Sequence, residues 1–217
     1  MARPLVLAHR AGPAGRHPEN SLAALRATLR GRADGVEIDV QRDGDGRYVV
    51  HHDATLRDGT PIAGCTAKRL SRVRLANGEP LPLLEPFLAE ARRGLVFLDL
   101  KVTCDPVDVA RRASAVLPAD RLFFSSFWHP GIRALGRRFP ALRRGVTLEA
   151  RLVDPASVMR AAGASVLVLP ADCVDRETAR AADVWVWGVA DRDGARTLTR
   201  WGVKALIVDD PAVAVQV

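Results

Sequence analysis

At 217 residues the chain is long enough for one domain with a single sizeable core, and 48% apolar with 26% charged residues is the balance of an ordinary soluble globular protein. The net charge of +7 comes almost entirely from arginines, dispersed in pairs such as Arg92-Arg93, Arg111-Arg112, Arg137-Arg138 and Arg143-Arg144. Without a run of five or six like charges or a nucleic-acid motif, this basicity argues against a nucleic-acid partner and leaves mild steering of phosphates. Cys65, Cys104 and Cys173 are odd in number and lack C-x-x-C spacing, which excludes a disulfide framework or zinc cluster and leaves reduced thiols. No apolar stretch reaches the length of a membrane span and no signal-peptide core opens the chain, so the expectation is a cytoplasmic protein without stable membrane insertion.

In chain order, β-branched runs alternate with helical patterns. Strands are expected over 5–8, 35–40, 95–101, 122–126, 145–147, 166–169, 184–189 and 205–207. Helices are expected over 21–32, 84–92, 106–117, 130–138, 155–162, 176–182 and 193–201. Asn20 or Ser21 can cap the first helix, and His129-Pro130 and Asp154-Pro155 place a proline in a first turn, where its missing N–H costs nothing. The stretch 41–83 breaks the rhythm with a hairpin turning at Asp43-Gly44-Asp45-Gly46, returning over 47–51, and an irregular Gly- and Pro-containing segment after it. Eight strands alternating with helices imply βαβ units and a parallel sheet. Runs such as 166–169 are apolar throughout, as strands buried on both faces require. A closed (β/α)8 TIM-type barrel over 1–217, with the short insertion at 41–83, is the expected architecture; an open doubly wound sheet would need a Gly-rich fingerprint after the first strand, which is missing.

Chemistry-bearing residues gather at the expected C-terminal ends of strands, where barrel sites lie. The first strand ends in His9-Arg10, an acid/base candidate beside a planar fork suited to phosphate. His17-Pro18-Glu19-Asn20-Ser21 opens the first helix, and Glu19 serves either the helix dipole or the mouth. In Gly35-Val36-Glu37-Ile38-Asp39-Val40 the period of two aims Glu37 and Asp39 one way and the aliphatic residues the other. Two carboxylates aimed into a barrel are costly unless paired or metal-bound, and hard oxygen donors suit Mg²⁺ or Ca²⁺. His51-His52-Asp53 follows the hairpin and offers a second histidine. In Leu98-Asp99-Leu100-Lys101, Asp99 and Lys101 share a face and bring a third carboxylate and a cation to the same interior.

The ordered set His9-Arg10, Pro18-Glu19-Asn20, Glu37-Ile38-Asp39, His52-Asp53 and Asp99-Leu100-Lys101 resembles the glycerophosphodiester phosphodiesterase family. Weaker echoes in Pro82-Leu83-Leu84-Glu85, Ser126-Phe127, Val186-Trp187 and Asp209-Asp210-Pro211 extend the resemblance over nearly the whole chain. It implies a barrel, one divalent cation held by Glu37, Asp39 and Asp99 with Glu19 nearby, His9 and His52 as the acid/base pair, and Arg10 and Lys101 on the phosphate of a small phosphodiester. Phe127, Trp128 and Trp187 are candidates for an apolar surface at the mouth, with Trp187 assigned to substrate. Two departures stand out: Ala11-Gly12 follows His9-Arg10 where the family usually has Gly directly, and Asp99 replaces the commoner Glu. The resemblance implies hydrolysis of a glycerophosphodiester to glycerol phosphate and an alcohol. The alternatives are lysophospholipase D-like hydrolysis at the same site and a phosphate-ligand binding module without catalysis.

Overall fold

The computed structural model describes residues 3–12 and 15–214. Nine strands form one sheet: β1 Leu5–Ala8, β2 Gly35–Arg42, β3 Tyr48–Val50, β4 Leu95–Leu100, β5 Leu122–Ser125, β6 Arg143–Thr147, β7 Val166–Pro170, β8 Val184–Trp187 and β9 Ala205–Val208. Eight of them are parallel and close on themselves, because β1 pairs with both β9 and β2, while β3 runs antiparallel along β2. The eight parallel strands are those expected, shorter by one residue at Lys101 and at Ser126 and by two at Gly188-Val189, and longer by one or two residues in β2, β6, β7 and β9.

The helices are α1 Leu22–Arg30, α2 Ala67–Leu70, α3 Leu84–Glu90, α4 Pro106–Ser114, α5 His129–Arg138, α6 Pro155–Ala162, α7 Arg176–Ala181 and α8 Arg192–Trp201. Except in α3 and α5, their starts follow from short oxygen-bearing side chains that accept otherwise unpaired N–H groups. Ser21 caps α1 by accepting from the Ala24 N–H at 3.0 Å, leaving Asn20 free for another partner, and Asp105, Asp154, Asp175 and Asp191 cap α4, α6, α7 and α8. Arginines gather in the last turns, complementing the helix dipoles. Others cap by hydrogen bonding: Arg93 donates to the carbonyls of Leu29 and Gly31 past α1, and Arg144 to that of Gly163 past α6. Helix N-termini follow strand C-termini here, so the acidic caps ring the mouth and much of the basic excess lies at the opposite end.

The strand period of two divides the core. Val36, Ile38, Val40, Val96, Leu98 and Leu100 pack outward against the helices. Inward, Leu7, Phe97, Phe123, Val168, Trp185 and Ile207 fill the barrel. Phe123 and Trp185 stack at 4.0 Å between centroids, with Phe97 edge-on to Phe123 at 4.9 Å. Two residues further along the strands the inward positions turn polar. Asp39 registers with Asp99, and Asp99 with Ser125. The aromatic plug is therefore the floor on which the polar mouth rests.

The 41–83 insertion is ordered around its own small cluster, in which Val49, Ile62, Cys65, Leu70 and Leu81 are buried. The hairpin turns as expected, with Asp43 accepting from the N–H groups of Asp45 and Arg47. The three cysteines are free.

Candidate active site

A cavity opens at the C-terminal end of the barrel, and His9, Arg10, Glu37, Asp39, His52, Asp99, Lys101 and Trp187 all line it. Of the residues expected to serve catalysis, phosphate or the cation, Glu19 alone lies off this wall. It is half-exposed, binds Arg10 Nη1 at 2.7 Å, and lines an adjoining cleft with His17 and Asp209. Arg10 reaches out and holds it at the rim.

Local backbone geometry aims the first two functional residues. After β1 the chain makes a tight turn in which Arg10 (φ 48°) and Ala11 (φ 72°) are both left-handed. Ala11 thus occupies a conformation glycine would adopt without steric cost. Gly12 is extended and needs its missing Cβ for a different reason: a Cβ there would lie 2.6 Å from that of Ala24 on α1. The turn lets the Arg10 N–H donate to Glu37 Oε2 at 2.9 Å and swings the guanidinium back to within 3.9 Å of Asp39. Arg10 Nε is buried with no acceptor among the described residues.

On β2 and β4, Lys101 Nζ lies 2.6 Å from both Asp39 and Asp99. Burial opposes ionisation of Asp39, but Lys101 and the Asn20 amide more than offset it and hold its carboxyl below the usual range. Asn20, left-handed at φ 56°, donates to Asp39 Oδ2 at 2.8 Å and accepts from the Asp39 N–H at 3.2 Å. Glu37 is the opposite case: burial, then the charges of Asp39 and Asp99, push its carboxyl well above the usual carboxylate range. Asp99 is also raised, by burial and by Asp39, against the pull of Lys101, and its Oδ1 is buried without a partner among the described residues. Three hard carboxylates, one orphaned oxygen and too little compensating positive charge make a donor set that fits a divalent cation. Among the described residues no three acidic, histidine or cysteine side chains already stand together as a ligating group, since Lys101 lies between two of the carboxylates.

Both cavity histidines are tied through Nδ1: His9 to Asp209 at 2.7 Å and His52 to Asp53 at 2.8 Å. An ionised carboxylate only accepts, so in each neutral ring Nδ1 carries the proton and Nε2 is the free nitrogen. His9 Nε2 is 3.9 Å from Glu37. His52 is further pinned by Gln41, which donates to its carbonyl, whereas His51 turns to the Thr55 carbonyl. The residue pattern by itself leaves His51 and His52 equal and the family resemblance names His52; Asp209 enters there only as a motif member and Asn20 only as a motif member or helix cap. Their contacts cross the barrel, and only the aspartate after the last strand hinted at the first.

Across the cavity, β5, β6 and β8 contribute Phe127, Thr147, Glu149 and Trp187. Trp128 does not join them; its ring covers Gly131 at the start of α5.

The fold and the mouth define an enzyme of the (β/α)8-barrel class with two carboxylate-tethered histidines over an acidic and cationic cluster. The family model for the glycerophosphoryl diester phosphodiesterase family matches residues 9–213, and the chain belongs to that family, whose members hydrolyse phosphodiesters. It is 28% identical over 231 residues to the glycerophosphodiester phosphodiesterase of Caldanaerobacter subterraneus subsp. tengcongensis, covering 95% of this chain and 94% of that one. It is 30% identical over 159 residues to the uncharacterized protein YqiK of Bacillus subtilis, covering 65% of each. Its structure superposes with a TM-score of 0.87 on an Oleispira antarctica phosphodiesterase solved with the product sn-glycerol-3-phosphate, at 25% identity and covering 98% and 95% of the two chains.

Proposed function

We propose that the protein hydrolyses glycerophosphodiesters to glycerol phosphate and an alcohol, with a divalent cation in the carboxylate cluster and His9 and His52 as the acid/base pair. The observation that carries the reading is the pair of tethered histidines, both lining one cavity with Arg10 and Lys101.

The phosphate seats against Arg10 and Lys101. Arg10 Nε, buried without an acceptor, is free to donate to a non-bridging oxygen. One histidine takes a proton at Nε2 from the attacking hydroxyl, of water or of the substrate glycerol. The other, entering as the imidazolium with Nε2–H, gives that proton to the leaving alcohol oxygen as its bond to phosphorus breaks; where the substrate glycerol attacks, water then opens the cyclic phosphate with the two histidine roles exchanged. Glu37, Asp39 and Asp99 would hold Mg²⁺ or Ca²⁺, with Glu19 left as the partner of Arg10. A bound cation would polarise a phosphate oxygen and offset the charge developing on it. The product bound to the Oleispira antarctica phosphodiesterase supports glycerol phosphate as the product here.

The test is release of glycerol phosphate from glycerophosphocholine with Mg²⁺ or Ca²⁺, then with chelator, alongside His9→Ala and His52→Ala. Release that requires the cation and falls by about 10²–10⁴-fold in each variant is expected. Full release in chelator would remove the cation, and a fully active His9→Ala would remove His9.

A second reading, lysophospholipase D-like hydrolysis, has one observation in its favour. The large exposed hydrophobic side chains Val102, Phe127, Trp128 and Val153 all follow the C-terminal ends of β4, β5 and β6, beside the mouth. Turnover of lysophosphatidylcholine that rises sharply above its micelle concentration would favour it.

A further inference from the structure

The cavity has two chemically different walls. The wall from β1, β2 and β4 carries the cations Arg10 and Lys101 with the histidines and carboxylates already described. The wall from β5, β6 and β8 contributes no lysine or arginine to the lining; it presents the Phe127 and Trp187 rings and the Glu149 carboxylate. Glu149 makes no hydrogen bond or ion pair with any described residue. The cation two residues on, Arg151, instead donates to the carbonyl of Asp172 at 2.7 Å. Phe127 is 47% exposed, and Trp187 Nε1 is buried without an acceptor among the described residues, so this wall has both an open aromatic face and an unsatisfied donor.

Resting on the reading of this cavity as the phosphodiesterase site, we propose that the Phe127–Glu149–Trp187 wall selects diesters whose alcohol carries a positive charge, a quaternary or primary ammonium. A cation is attracted by the negative face of an aromatic ring and by a nearby carboxylate, and the two reinforce each other where water is partly excluded. The opposite wall repels the same group through Arg10 and Lys101 while attracting the phosphate. A zwitterionic diester is therefore oriented by its own charge separation, phosphate toward the histidines and ammonium toward Glu149. A neutral alcohol has no such preference.

The experiment compares kcat/KM for glycerophosphocholine, glycerophosphoethanolamine, glycerophosphoglycerol and the neutral isostere in which carbon replaces the choline nitrogen, in the wild type, Glu149→Gln and Phe127→Leu. Both positions are solvent-accessible, so the variants should fold. The wild type is expected to prefer choline over its carbon isostere by about tenfold. That ratio is expected to fall toward one in Glu149→Gln and to shrink in Phe127→Leu. A wild-type ratio near one, or a ratio undiminished in both variants, overturns the selectivity while leaving the phosphodiesterase reading intact. No turnover of any of the four diesters by folded, cation-supplied wild type overturns that reading and this inference with it.

Discussion

His9 Nδ1 and Asp209 Oδ1 lie 2.7 Å apart although 200 residues separate them in the chain. Barrel closure makes the contact: β1 pairs with β9 along its whole length, so the residues that leave the two strands emerge side by side. Asp209 orients the ring and sets its tautomer without lining the main cavity. Asp209→Asn should keep the hydrogen-bonding shape, lose the charge, and lower kcat by about tenfold or more, up to the roughly 10²–10⁴-fold that the acid/base group itself contributes, with KM nearly unchanged. The Asp209 side chain is 73% exposed, so thermal unfolding should be within about 0.5 kcal/mol of wild type. In a His9→Ala background the substitution should have no further effect on kcat, and an additive loss would show that Asp209 acts elsewhere.

Lys101 bridges two buried carboxylates in a cluster that also holds Glu37. Lys101→Met should strip that compensation and destabilise the cation-free protein by about 3–5 kcal/mol. Divalent cation should recover part of this, because it binds the folded cluster and not the unfolded chain. Denaturant unfolding of wild type and variant, each with chelator and with Mg²⁺ or Ca²⁺, checks both parts. Unfolding of both proteins unchanged by cation would mean that the carboxylates do not hold it.

Ala11 is buried in the left-handed region at φ 72°. Ala11→Gly removes a conformational cost of about 1–2 kcal/mol, but gives up a buried methyl worth about 0.8 and adds unfolded-chain entropy of about 0.5–1 kcal/mol. These nearly cancel, so the variant should unfold within about 0.5 kcal/mol of wild type. Ala11→Val has no such offset, and a β-branched side chain there should cost more than about 2 kcal/mol. Paired thermal melts measure both.

Asp34 closes the other end of the barrel. Its carboxylate takes two hydrogen bonds from Arg3 at 2.7 Å and one from the Val6 N–H at 2.8 Å. Burial works against its charge, but Arg3 and the Val6 N–H prevail and hold its carboxyl below the ordinary carboxylate range. A depressed folded-state pKa gives stability that is complete above the unfolded value of about 3.9 and is lost as pH falls toward the folded one. Asp34→Asn should therefore cost about 1–2 kcal/mol at neutral pH and almost nothing at the acid end of that window. An Asn variant whose deficit stays constant down to the lowest pH would contradict the assignment.

The barrel, its eight parallel strands and the facing of Glu37, Asp39, Asp99 and Lys101 were legible in the sequence, because the strand period of two and the alternation of strands with helices are local properties. The charge balance was legible too, though its placement was not: arginines spread along the chain become helix caps away from the mouth once the helices are set. What the tertiary structure alone decided was partnership. That Lys101 stands between Asp39 and Asp99, that Asn20 serves Asp39 while Ser21 caps the helix, that Arg10 draws Glu19 to the rim, and that Asp209 holds His9 all depend on strand register and closure. Register and closure are set by packing among residues distant in sequence, and no local pattern encodes which of several polar side chains will meet.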